Sequence, residues 1–88
     1  MDTNGIKELV EKLKTINGEN VWIHIANDLY GDQNLKCAFQ LIDNEERLCF
    51  LVCKQEIFIE KAKICQVGAH NDLFYFADEL MCIKIRKM

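Results

Sequence analysis

The side chains able to do chemistry are few and scattered. Five cysteines stand at positions 37, 49, 53, 65 and 82 and two histidines at 24 and 70. A zinc site gathers three or four such ligands, commonly announced by a Cys-x-x-Cys pair, and the chain has no such pair. Cys49 and Cys53 lie four apart in an apolar run, and on an extended strand their Cα atoms stand roughly 13 Å apart, too far to share a metal ion. Core packing is the simpler role for both. Cys65 and His70 flank Val67-Gly68-Ala69, a stretch able to bend, with the oxygens of Asn71 and Asp72 following. They form the one candidate thiol-imidazole or metal pair, and they lack a third ligand and an orienting acid.

Carboxylates offer no better template. Glu45-Glu46 and Asp78-Glu79 sit in turn-like segments, whereas acid-base pairs need a cleft that drives their pKa values apart. Within Asn27–Asn34, Tyr30 takes the second ligand position of a calcium loop and Gln33 takes its glycine position, so the spacing fails. The segment reads as a solvated recognition loop, with Tyr30, Asp32 and Asn34 as candidate contacts. Trp22 and His24 share one face of a strand and form a candidate partner patch. The competing reading is that the helix covers Trp22, since a small domain normally buries its one tryptophan. Lys84, Arg86 and Lys87 make the only basic cluster, either a nucleic-acid contact or a frayed tail. With every catalytic template missing a member, no enzyme activity, cofactor or metal is expected.

The elements follow from periodicity. Ile6, Leu9, Val10, Leu13 and Ile16 make one helical stripe, with Thr3 or Asn4 as N-cap and Asn17-Gly18 as stop, which predicts a helix over 5–17. Alternation then predicts strands over 20–26, 35–42, 47–53, 56–65, 73–76 and 80–86, with loops at 26–34 and 68–72. A helix over 74–84 is the competing assignment. The result is an α+β, mainly β class: an N-terminal helix followed by a five- to six-stranded antiparallel, strongly bent sheet or small barrel over 20–86, all in one domain, 1–88.

Asn17-Gly18-Glu19-Asn20-Val21-Trp22-Ile23-His24-Ile25 is similar to the Gly-x-x-Val-x-Val-x-Leu entry of strand one in Sm-like proteins, and Leu41-Ile42-Asp43 to their second strand and its acidic turn. Phe39 stands where that family has a glycine, no Asp-x-x-x-Asn pair follows Asp43, and Ile85-Arg86-Lys87 matches the family's Ile-Arg-Gly end in part. The order also resembles SH3-like barrels. The resemblance implies a small barrel and, as one alternative, an RNA-binding oligomer. No RNA-binding residue carries across.

Composition sets the frame. Of 88 residues, 50% are hydrophobic and 28% charged, with no proline, which suits a globular domain and excludes a disordered or Pro-rich one. A net charge of -3 gives no reason to expect generic binding to nucleic acid or anionic membrane. Apolar runs such as 49–52 and 73–76 fall far short of the roughly 20 residues that span a bilayer, and the start lacks the pattern of a signal peptide. A cytoplasmic protein is expected. Nine Lys against two Arg, with ten Ile and seven Asn, suits AT-rich codons and hence a low-GC bacterium or its phage. Strand edges without proline guards predict a homo-oligomer, most simply a dimer. The function expected is a non-enzymatic interaction module that self-associates and occupies a partner protein or small ligand, in the manner of a phage-type inhibitor or sponge. The alternatives are the Sm-like RNA-binding oligomer and a thiol or metal protein using Cys65 and His70.

Overall fold

The computed structural model describes residues 3–29 and 31–88. Tyr30 and the capping side chains of Thr3 and Asn4 lie outside the described residues and side chains. Helix α1 (Thr3–Lys14) precedes β1 (Asn20–Asn27), β2 (Gly31–Ala38), β3 (Gln40–Asp43), β4 (Arg47–Val52), β5 (Gln55–Glu60), a 3-10 turn (Lys61–Lys63), β6 (Gln66–His70), β7 (Leu73–Ala77) and β8 (Met81–Lys87). The strands form two antiparallel sheets, β2-β1-β8-β7-β6 and β3-β4-β5. The protein is mainly β with one N-terminal helix, as the alternation predicts, but the described strands number eight and no ladder joins the sheets into a closed barrel.

One extra strand, β3, comes from a break in the expected strand 35–42; the other, β6, forms over 66–70, which includes part of the expected loop. At Phe39 the backbone leaves the β1 ladder and bonds the helix-to-strand turn instead: Phe39 O accepts from Gly18 N at 2.7 Å and Phe39 N donates to Glu19 O at 2.9 Å. Residues before it pair with β1, residues after it with β4. The expected strand 56–65 ends early, at Glu60, where the turn at Lys61–Lys63 begins. Both expected loops shrink. Gly31–Asn34 is strand, paired to Asn27–His24, and Gly31 adopts φ +85°, a left-handed conformation that glycine tolerates. Gly68–His70 is strand too, so the turn reduces to Asn71-Asp72, with Asn71 at φ +55°. A helix over 74–84 is excluded by the β7–β8 ladder; Asp78 Oδ1 closes that hairpin by accepting from Leu80 N at 2.8 Å and Met81 N at 2.7 Å.

α1 stops at Lys14 rather than Asn17, because 3-10-type bonds tighten the chain into Gly18 at φ +85°. Its stripe is buried as expected, and it leans on β6 and β3, one strand from each sheet. Beneath it Phe39, Phe50 and Phe76 are fully enclosed, with centroids 5.6 Å apart for Phe39–Phe50 and 5.9 Å for the edge-on Phe50–Phe76 pair. Phe76 belongs to one sheet and Phe50 to the other, so this aromatic chain ties the sheets together. Among the described residues no helix is long and apolar enough to cross a membrane.

Candidate functional site

Val21, Ile23 and Ile25 point into the core, so Trp22, His24 and Ala26 must point out, on the side of the sheet away from α1. The expectation that the helix covers Trp22 is therefore corrected: the helix stripe joins the core that Val21, Ile23 and Ile25 enter from the other face of β1, and Trp22 remains half-buried among its strand neighbours. The same parity turns Lys84 and Arg86 outward from β8, where Ile83 and Ile85 fill the core.

Pairing then aligns these residues in two rows. Trp22 faces Lys36 on one side and Arg86 on the other, and Arg86 faces Leu73. His24 faces Asn34 and Lys84, and Lys84 faces Tyr75, which faces Gly68. The rings of Trp22 and His24 stack at 6.0 Å with 20° between planes. His24 Nε2 and Asp32 Oδ2 lie 3.4 Å apart at the margin of the face. The Tyr75 ring lies across Gly68 so closely that any Cβ there would overlap it, which fixes the ring against the sheet.

Two groups that are remote in sequence thus meet: Trp22, His24, Asp32 and Asn34 from β1 and β2, with Lys84 and Arg86 from β8. Lys87 does not join them. It falls on the opposite side of β8, where its Nζ reaches Glu19 Oε2 at 3.7 Å and borders an open hollow of about 310 Å³ lined also by Lys12, Thr15, Asn71 and Asp72. Lys36 and Tyr75 were not among the residues singled out above, although alternation in 35–42 and 73–76 carried the signal.

The thiols divide differently from the expectation. Cys49 is buried, Cys37 and Cys82 are half-buried, and Cys53 is exposed rather than packed, because it occupies the β4–β5 turn at φ +51°. Burial, then hydrogen bonding with and charge on Cys53, push the Cys37 thiol above its ordinary pKa. Cys65 is exposed, its Sγ 3.5 Å from Ala77 O. The bend that would bring it to His70 is absent, since Val67-Gly68-Ala69 pairs along β7 and the two residues mark opposite ends of β6. Among the described residues no three His, Cys, Asp or Glu side chains gather to hold a metal ion.

On the second sheet, Ile42, Cys49 and Phe58 form an outward cross-strand row, with Ile42 and Phe58 exposed and the Arg47 guanidinium 4.8 Å above the Phe58 ring. No protein-family model, curated protein or solved structure matches the chain.

Proposed function

We propose that the protein is a non-enzymatic binding module whose contact surface is the outer face of the five-stranded sheet. One observation carries this reading: Trp22 pairs with Arg86 and His24 with Lys84 on a face that the helix leaves uncovered. Aromatic and arginine anchors dominate the energy of binding surfaces, and here both types sit on paired strands whose backbone is already ordered. The test is retention of host macromolecules by immobilised protein, compared with a folded W22A/R86E variant. The variant retains little; equal retention by both proteins overturns the reading.

The module also self-associates. Among the described residues β5 pairs with β4 alone, its far edge has no proline guard, and Phe58 on it is 46% exposed. Addition of a neighbour's β5 would lengthen the sheet past Phe58 and set that ring against a cross-strand side chain of the neighbour. Sedimentation should give twice the 10.3 kDa chain mass at high micromolar concentration, reduced to the monomer by F58K. A wild-type monomer at that concentration removes the edge-pairing idea. A second reading, an Sm-like RNA-binding ring, draws on the same Lys84 and Arg86 and requires more than two copies in a closed ring, so the measured mass separates the two assemblies.

A further inference from the structure

The ligand of the outer sheet face follows from the order of its side chains. One row reads Lys36, Trp22, Arg86, Leu73 and the next Asn34, His24, Lys84, Tyr75, so within each row rings adjoin cations across the strands, while Trp22 and His24 share β1 and Lys84 and Arg86 share β8. Among the described residues no carboxylate pairs with Lys36, Lys84 or Arg86, and Asp32 is the one acidic residue at the outer positions of these five strands. The face is therefore locally positive on a chain whose net charge is -3. Repulsion elsewhere on the surface would steer a polyanion toward this face and away from the rest of the molecule.

Cations alone would suit any polyanion. The rings narrow the choice, because Trp22 is held by its stack on His24 and Tyr75 by its bed on Gly68, leaving flat π-surfaces between the charges. Duplexes hide their bases in the stack and offer phosphates only, whereas single strands offer bases and phosphates in alternation. Acidic peptides supply the charge without the planar partners. We propose that this face binds single-stranded nucleic acid, with bases stacked on Trp22 and Tyr75 and phosphates held by Lys36, Lys84 and Arg86. The inference rests on the outer face being the binding surface.

The test is anisotropy of labelled short oligouridylate and oligodeoxythymidylate with the full chain, followed in parallel by fluorescence of the sole tryptophan. Saturable binding with quenching is expected, tighter for whichever sugar the face prefers. Three phosphate contacts give a log-log salt slope of about -2, and K84A/R86A lowers it by about 1.4. W22A weakens binding by roughly 5- to 150-fold, while W22F, which keeps a ring in place, retains most of it. Absence of saturable binding to both oligonucleotides at low salt overturns the proposal, as does W22A binding unchanged. Equal affinity for poly-glutamate or for the matching duplex also overturns it, by reducing the interaction to charge. Those results leave the wider reading standing, which fails separately if W22A/R86E retains host macromolecules as the wild type does.

Discussion

Trp22 and Arg86, from opposite ends of the chain, are direct cross-strand partners on β1 and β8, and both project from the face that α1 does not cover. Around them Lys36, His24, Lys84 and Tyr75 complete an aromatic and cationic surface. The strands that carry it are rigid because their inner faces fill the core. Binding and stability are therefore separable by side-chain parity.

Phe50→Ala should cost about 3–5 kcal/mol, since it empties the centre of the Phe39–Phe50–Phe76 chain that joins the sheets. Against a typical total of roughly 5–15 kcal/mol this is a large share. W22A, on the outer face, should cost far less. Urea midpoints of the two variants check this, and equal midpoints would contradict the separation of the two faces.

Gly68→Ala should drive the Tyr75 ring off the sheet, at on the order of 1–3 kcal/mol. In G68A/Y75A the collision is gone, so the double variant should be less destabilised than the two single variants summed. Additive losses would mean that the ring does not constrain residue 68.

At pH 8 iodoacetamide should label Cys53 and Cys65 first, Cys37 slowly, and Cys49 only on unfolding. The raised pKa of Cys37 leaves less thiolate at a given pH, and C53A, which removes its thiol neighbour, should speed its labelling. The folded state holds the Cys37 proton more tightly than the unfolded chain does. The stability this contributes is complete below the ordinary thiol pKa and is lost as pH rises through the raised folded value. Mass-resolved labelling that found Cys37 as fast as Cys65 would refute the assignment.

Lys54→Gly should stabilise the protein by about 0.5–1 kcal/mol. Cys53 and Lys54 hold φ of +51° and +66° in the two-residue turn that sets Val52 opposite Gln55, a conformation glycine adopts without the side-chain penalty. The gain is the relieved strain less the extra entropy of an unfolded glycine. A lowered melting temperature would count against this account of the turn.

Local pattern alone was enough for the helix stripe and for most strand cores. Ile6, Leu9, Val10, Leu13 and Ile16 are all buried, and Val21, Ile23 and Ile25 alternate inward, because periodicity records which side of an element meets apolar neighbours. Strand ends were less legible. Phe39 looks like the middle of a strand in sequence, and only its bonds to Gly18 and Glu19, made by a distant turn, reveal it as the break between sheets. Gly68 suggested a loop, yet it serves as the bed for Tyr75.

The sequence by itself determined a mainly β chain with one amphipathic helix, a buried apolar set and a modest net negative charge. It also supplied Trp22 and His24 as one candidate and Lys84 and Arg86 as another. Their union was decided only by tertiary structure, because register between β1 and β8 is a long-range pairing that no local period encodes. Net charge, moreover, sums over all directions. The cationic face exists because the fold gathers Lys36, Lys84 and Arg86 on one side of a sheet and leaves most carboxylates elsewhere.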